Sequence, residues 1–145
     1  MKDDTFTVRY RGVMVKSFLR ESLAQMPRPT LLAWSLTPVQ ILLHLAIGTL
    51  AWAVYGSQWL GRAALLGGSM VLLAIAFAAG GRGLRQAAFW ARRLLLTACG
   101  LSAVTMLFWL PVSPLLVAGV LLNVLLAGGV LHPATGAFLQ RQRSL

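Results

Sequence analysis

The stretch LLAWSLTPVQILLHLAIGTLAWAVY, residues 31–55, is 25 residues long and contains no aspartate, glutamate, lysine or arginine. A transmembrane α-helix needs about 20 predominantly apolar residues to cross the hydrocarbon core of a bilayer. Because the stretch exceeds this length, it predicts a membrane-spanning helix. The fold class of the chain then depends on whether the rest of the sequence repeats the pattern.

Three more apolar runs follow, at residues 63–79, 94–110 and 115–131, and none of them contains a charged residue. As an α-helix, each run would extend about 25 Å at roughly 1.5 Å per residue, which approaches the thickness of the hydrocarbon core. The connections between the runs are short, so consecutive helices are expected to be antiparallel neighbours. The sequence therefore predicts an all-α integral membrane protein whose four transmembrane helices form two antiparallel hairpins of a four-helix bundle.

The composition also indicates a membrane protein. Of the 145 residues, 58% are hydrophobic and 11% are charged, whereas an ordinary soluble domain has about 25% charged residues. The net charge is +10, and the three acids, Asp3, Asp4 and Glu21, all precede the first apolar run. Because the basic residues flank apolar runs, we expect them to contact anionic lipid headgroups and not nucleic acid. The single Cys99 lies within an apolar run, which excludes an intrachain disulfide and a zinc cluster.

The distribution of lysine and arginine predicts the orientation of the chain. Six of these residues precede the first run, one lies in the first loop, four in the second, none in the third and two after the last run. Cytoplasmic loops retain basic residues. Both termini and a loop over residues 80–93 are therefore expected on the cytoplasmic side of a bacterial inner membrane. Plotted at 100° per residue, the four arginines of this loop share one face and are candidates for lipid or partner contact: Arg82, Arg85, Arg92 and Arg93.

Residues 1–30 are expected to form a cytoplasmic segment with two parts. Residues 5–11, TFTVRYR, alternate as a strand does, and a hairpin, an edge strand added to a partner and a disordered tail all remain open. Residues 13–26 predict an amphipathic helix in the headgroup plane, which ends at the two prolines of PRP. Residues 132–145 are expected to be a cytoplasmic tail. The candidate lipid or partner contacts of the amphipathic helix are Lys16, Phe18, Leu19 and Arg20.

Polar residues inside the predicted spans are candidates for function, because they are costly to place in hydrocarbon. Gln40 and His44 are four residues apart and so share a helix face, and Asn123 lies in the fourth span. They predict hydrogen bonds between helices, each contributing about 0.6 kcal/mol. His44 is also a candidate haem ligand or proton relay, although the spans contain no acid or second histidine to partner it. Three further residues are expected to form interhelical hydrogen bonds: Thr97, Ser102 and Thr105.

The sequence lacks the motifs that catalysis would require. No GxSxG, P-loop, HExxH or pair of carboxylates occurs, and no acid follows Glu21. The spans therefore offer no carboxylate for a relay or for a divalent cation. The sequence predicts that the protein is not an enzyme and binds no metal or cofactor.

The segment WSLTPVQILLHLAIG, residues 34–48, resembles the first span of the succinate dehydrogenase cytochrome b anchor subunit, and GLRQ, residues 83–86, is similar to a later Gly-Ile-Arg-His of that family. At the positions of the family's quinone-site serine and arginine, this chain has Ile41 and Leu45. At the position of the family's haem-ligating histidine, it has Ala79. The resemblance therefore implies a membrane anchor without a haem or quinone site. The matching residues of the first span are Trp34, Ser35, Leu36, His44 and Gly48.

The overall layout is similar to that of the ATP synthase protein I family of assembly factors. The shared features are a basic N-terminus, four apolar runs and the Gly-Gly of ALLGG, residues 64–68, near the start of the second run. The glutamate and lysine often found in the later spans of that family are missing here. This resemblance implies a role in assembling a membrane complex.

Three functions are compatible with these features. The first is an accessory or assembly subunit that docks on a larger membrane complex through helix packing and a basic cytoplasmic face. The second is an immunity or exclusion protein that neutralises a membrane-active toxin, and the third is an electron-transfer anchor with His44 as the haem ligand. The expected partners are membrane lipids with anionic headgroups and other membrane-protein subunits or further copies of the chain.

Overall fold

The computed structural model describes residues 26–56, 59–109 and 115–141. These residues form five α-helices and no strand, which confirms the predicted all-α class for this part of the chain. The strand-like residues 5–11 and nearly all of the amphipathic helix over residues 13–26, including Lys16, Phe18, Leu19 and Arg20, lie outside the described residues. The helices are α1 (Arg28–Tyr55), α2 (Leu60–Arg85), α3 (Phe89–Trp109), α4 (Leu115–Leu131) and α5 (Pro133–Arg141).

Three of these helices, α1, α2 and α3, are individually long and apolar enough to cross a membrane. The fourth candidate is the pair α4 and α5, which meet at a bend of 52°. The structure therefore gives three candidate spans, or four if the bent pair is one span. Helix α4, at 17 residues, is shorter than α1, α2 and α3.

The helices α1 to α4 pack side by side, and each contacts the helix before and after it, with α4 also contacting α1. Thr37, near the start of α1, lies against Gly81, near the end of α2, whereas Gly48 and Gly67 meet farther along. This reversed order shows that α1 and α2 are antiparallel. Connections of only a few residues also join α2 to α3 and α3 to α4, so these pairs are antiparallel as well. The four helices therefore form two antiparallel hairpins.

The apolar core lies between these helices and is formed mainly by large side chains. Phe77, Leu95 and Leu126 are fully buried in one cluster that draws on α2, α3 and α4. Cys99 is a free, buried cysteine in the same cluster, 3% exposed. The burial of these side chains shows which face of each helix turns toward its neighbours.

Glycine lets α1 approach two neighbours closely. A Cβ atom at Gly67 of α2 would collide with the indole of Trp52. A Cβ atom at Gly129 of α4 would lie 2.9 Å from the carbonyl oxygen of Pro29. The glycines next to them, Gly68 and Gly128, face open space. Small residues at such contacts let backbones pack closely in membranes.

The predicted loop over residues 80–93 is mostly helical. Helix α2 continues to Arg85 and α3 begins at Phe89, so the turn is limited to residues 86–88. The N–H of Ala88 donates to the carbonyl of Gly83 at 2.8 Å, and the N–H of Ala87 donates to that of Leu84 at 3.1 Å. This is the Schellman pattern of a helix end.

This turn corrects the predicted arginine face. The prediction placed four arginines on one arc of a single helix, but a left-handed residue in the turn reverses the chain between them. Two arginines occupy the last turn of α2 and two lie near the start of α3. They share one end of the bundle and not one helix face: Arg82, Arg85, Arg92 and Arg93.

Replacing Ala87 with glycine is expected to raise the free energy of unfolding by about 0.5–1 kcal/mol. Ala87 has φ 52°, a left-handed conformation that costs an L-residue about 1–2 kcal/mol. Glycine avoids this cost, but part of the gain is cancelled because glycine makes the unfolded chain more flexible. Thermal unfolding in detergent measures the change. Ala79→Gly, at an exposed position in the interior of α2, is expected to lower the free energy of unfolding. A loss of stability in both variants would contradict the left-handed conformation of Ala87.

The predicted tail over residues 132–145 begins with a helix that packs on the bundle. Helix α5 starts at Pro133, and Thr135 and Leu139 are its buried residues. The Thr135 hydroxyl donates to the carbonyl of Gly129 at 2.8 Å and lies 2.9 Å from the Thr30 hydroxyl. Since Thr135 donates its proton to Gly129, Thr30 is the donor to Thr135. Helix α5 therefore joins the end of α4 to the start of α1.

Candidate functional site

Four polar side chains meet in the core, about midway along the helices, and we call them the polar cluster: Gln40, His44, Ser102 and Asn123. Gln40 and His44 come from one face of α1, Ser102 from α3 and Asn123 from α4. Three of them are fully buried, and Asn123 is 2% exposed. The cluster brings together the three residues that the sequence singled out for intramembrane packing.

The backbone of α1 decides the direction of the hydrogen bonds. His44 Nδ1 lies 2.6 Å from the carbonyl oxygen of Gln40, and because a carbonyl oxygen only accepts, Nδ1 carries the proton and donates. In a neutral imidazole, Nε2 is then an acceptor. The hydroxyl of Ser102, at 2.8 Å, donates to it.

The two amides complete the cluster. The side-chain N–H of Asn123 donates to Ser102 Oγ at 2.8 Å, and that of Gln40 donates to Asn123 Oδ1 at 2.8 Å. Each side chain therefore donates to the next one. Gln40 donates to Asn123, Asn123 to Ser102, Ser102 to His44, and His44 to the backbone carbonyl of Gln40. This closed cycle joins α1, α3 and α4, and a closed network of buried polar groups holds its helices in one relative position.

Apolar and weakly polar side chains enclose the cycle. The ring of Phe77, fully buried on α2, lies 5.1 Å from the His44 ring at an interplanar angle of 50°. The sulfur of Met106 lies 3.8 Å from the amide nitrogen of Asn123. Among buried side-chain polar atoms in the described part of the chain, Gln40 Oε1 is the one without a hydrogen-bond partner.

These contacts limit what His44 can do chemically. Both of its ring nitrogens are engaged, so a haem iron at Nε2 would have to displace the hydroxyl of Ser102. Within the ranges 26–56, 59–109 and 115–141, no three residues of histidine, cysteine, aspartate or glutamate are grouped to hold a metal ion. The ring of His44 thus connects the backbone of α1 with Ser102 of α3.

Two of the predicted interhelical hydrogen bonds are corrected. The hydroxyls of Thr97 and Thr105 are turned to carbonyls of their own helix, those of Arg93 at 2.9 Å and Leu101 at 2.8 Å. A threonine hydroxyl within a helix can satisfy itself in this way, by donating to the carbonyl four residues earlier. Ser102, on the inner face of the same helix, does form the predicted bonds between helices.

The hydrogen bonds that hold α5 were not predicted from the sequence. Thr30 and Thr135 lie 105 residues apart, and nothing in their spacing pairs them. The one sequence signal is that each threonine lies within four residues of an apolar run and within two residues of a proline, Pro29 or Pro133. That signal locates a helix end but does not identify its partner.

Six arginines lie at one end of the bundle, which we call the arginine end: Arg28, Arg82, Arg85, Arg92, Arg93 and Arg141. This end brings together the start of α1, the end of α2, the start of α3 and helix α5. The seventh arginine in the described ranges, Arg62, lies at the opposite end and stacks over the Trp59 ring at 4.5 Å. The described stretches of chain contain no carboxylate side chain.

Two arginines of this end also contact the bundle itself. Arg92 donates to the carbonyl of Leu131, at the end of α4, at 3.4 Å, where a cation is favoured by the helix dipole. The guanidinium of Arg93 lies 5.4 Å from the centre of the Phe89 ring. Of the four arginines singled out in the sequence, Arg92 thus contacts another helix, Arg93 contacts a ring of its own helix, and all four are partly or fully exposed.

Comparisons with models of known families, with characterised proteins and with solved structures find no match to this chain.

Proposed function

We propose that the chain is an accessory or assembly subunit of a larger membrane complex and acts by binding and not by catalysis. The observation that carries the proposal is the closed polar cluster, in which the interior polar side chains bond to one another across three helices. Polar groups engaged in this way contribute to helix packing and are not presented to a substrate. Binding through the outer surface is then the activity that the geometry favours.

The sides of the bundle support this proposal because they are strongly apolar. Leu72 of α2 is 69% exposed, Val104 of α3 is 65% exposed and Leu121 of α4 is 59% exposed. In water such a surface would promote aggregation, whereas in a bilayer it faces lipid tails or the helices of another subunit. We propose that the chain spans a bacterial inner membrane and that its apolar sides pack against partner helices.

The arginine end supplies the second surface. Its six arginines contrast with one at the opposite end, and basic residues are retained on the cytoplasmic side of membranes. We therefore place the arginine end, and with it both termini, in the cytoplasm. There it contacts anionic headgroups, at about 1 kcal/mol per arginine, and an acidic surface of the partner subunit.

Purification from native membranes tests the proposed function. An affinity-tagged chain, extracted in a mild detergent, is expected to migrate as part of a larger complex whose other subunits mass spectrometry identifies. The combined variant Arg82→Gln, Arg85→Gln and Arg93→Gln should reduce recovery of those subunits, because it removes three charges and leaves the Arg92 contact intact. Arg62→Gln, at the other end, is the matched control. Recovery of the unmodified chain alone, at a single small mass, would contradict the proposal.

A further inference from the structure

His132 is the residue at which helix α4 ends and helix α5 begins. Its backbone N–H donates to the carbonyl of Gly128 at 3.1 Å, which continues the hydrogen bonding of α4 by one residue. Its own carbonyl accepts from the N–H of Thr135 at 3.0 Å, which starts the hydrogen bonding of α5. The two helices meet at a bend of 52°, and His132 is the hinge of that bend.

The side chain of His132 caps helix α5. Its Nδ1 atom accepts a hydrogen bond from the backbone N–H of Ala134 at 3.2 Å. Together with the accepting carbonyl, this is the arrangement of an N-cap residue, and Pro133 takes the first helical position, where no N–H is needed. Because a backbone N–H only donates, Nδ1 must offer a lone pair, and the proton of the neutral ring lies on Nε2.

Protonation of His132 removes this cap. An imidazolium carries a proton on both ring nitrogens, so Nδ1 can no longer accept from Ala134. The new positive charge also lies at the N-terminus of α5, where the helix dipole disfavours a cation. The side chain is exposed, and histidine is the residue type whose charge ordinarily changes between about pH 5 and pH 8.

The charges around the hinge oppose a second cation there. The guanidinium of Arg92, from α3, donates to the last carbonyl of α4 at 3.4 Å, and its Nη1 atom would lie 3.0 Å from a Cβ atom at Gly136 of α5. The charged residue of α1 is Arg28 and that of α5 is Arg141, whereas α4 has none. No carboxylate side chain occurs in the described stretches of chain, so nothing in them compensates the charge of a protonated His132.

We propose that His132 is a pH-dependent switch that releases α5 from the bundle as the pH falls. With a neutral His132, the cap and the bond from Thr135 to Gly129 hold α5 against the start of α1. With a protonated His132, the cap is lost and α5 undocks, which uncovers Thr30 and the buried side of α5 at the arginine end. Docking is therefore favoured at high pH and is weakened as the pH falls. The switch acts within the chain and requires no partner subunit.

Distance measurements between two spin labels follow α5 in the full chain, in nanodiscs of phosphatidylcholine. The labels are attached at Gln140→Cys on α5 and at Gln86→Cys in the turn between α2 and α3, both exposed, in a Cys99→Ala background. A docked α5 gives a narrow distance distribution and an undocked α5 a broad one. Lowering the pH from about 8 to about 5 is expected to raise the ratio of undocked to docked chains about 5- to 30-fold, from the loss of the cap and the added charge.

Two substitutions of His132 are the controls. Asparagine is a good N-cap residue that does not titrate, so His132→Asn is expected to keep the distribution narrow at both pH values. Alanine cannot cap, so His132→Ala is expected to show more undocked chains than the wild type at high pH, and the same fraction at low pH. His44 and all carboxylates remain in both variants, so a pH effect that comes from them would persist there.

Three results would overturn the proposal. The first is a wild-type distribution that does not change with pH, and the second is an equal broadening of His132→Asn at low pH. The third is a proton on Nδ1 of His132 at neutral pH, read from the ¹⁵N spectrum of the wild type minus that of His132→Asn, because a protonated Nδ1 cannot accept from Ala134.

Discussion

Replacing Asn123 with leucine is expected to lower the free energy of unfolding by about 1–3 kcal/mol. The substitution removes the bonds from Gln40 and to Ser102, each 2.8 Å long. Interhelical hydrogen bonds in membranes contribute about 0.6 kcal/mol on average, so the two bonds alone account for about 1 kcal/mol. The rest of the loss comes from the buried amide of Gln40, which is left without a partner.

Unfolding by heat or by a denaturing detergent, followed by circular dichroism, measures this loss. Thr97→Val is the matched control, because Thr97 bonds only to a carbonyl of its own helix, and a change within about 0.5 kcal/mol is expected. The double variant of Asn123→Leu with Gln40→Leu should cost less than the sum of the two single variants, because each single change leaves one end of the bond between Gln40 Nε2 and Asn123 Oδ1 without its partner. Equal effects of Asn123→Leu and Thr97→Val would show that the polar cluster does not join the helices.

Replacing Gly129 with valine is expected to lower stability by about 1–3 kcal/mol and to loosen α5. A Cβ atom at this position would lie 2.9 Å from the carbonyl oxygen of Pro29 and 3.1 Å from the Cβ atom of Ala33. Both are fixed to the backbone of α1, so the helices must separate, and overpacking of this kind costs about 1–3 kcal/mol. The carbonyl of Gly129 also accepts the bond from Thr135, which the separation would weaken.

The adjacent glycine provides the control for this prediction. A Cβ atom at Gly128 meets nothing within 4 Å, so Gly128→Val is expected to leave stability near that of the wild type. Thermal unfolding measures the first effect, and the rate of tryptic cleavage after Arg141 measures the second. If the two valine variants were equally stable, the close contact between α1 and α4 would be disproved.

The helices were predictable because length and composition alone determine them. In an apolar medium, a single uncharged run such as 31–55 satisfies its backbone hydrogen bonds within itself by forming a helix. The four-residue spacing of Gln40 and His44 likewise suffices to place both on one helix face. Which residue of another helix they meet was not predictable, because Asn123 lies 83 residues from Gln40 and no local rule connects them.

The two differences at helix ends have particular physical causes. The turn at residues 86–88 was not predicted because its left-handed position is occupied by Ala87, whereas sequence rules expect glycine there. Helix α5 was not predicted because it has only nine residues, and so short a helix depends on tertiary packing for its stability. Its buried residues, Thr135 and Leu139, supply that packing. Both features depend on tertiary contacts.

The polar cluster joins three of the helices and supports the proposed function, and the protonation of His44 tests it most directly. A ¹⁵N solid-state NMR spectrum of the chain in bilayers at neutral pH distinguishes the two ring nitrogens, and a His132→Asn variant leaves His44 as the only histidine. The closed cycle predicts one neutral tautomer, with the proton on Nδ1 and an accepting Nε2. A proton on Nε2, alone or together with one on Nδ1, would contradict the cycle.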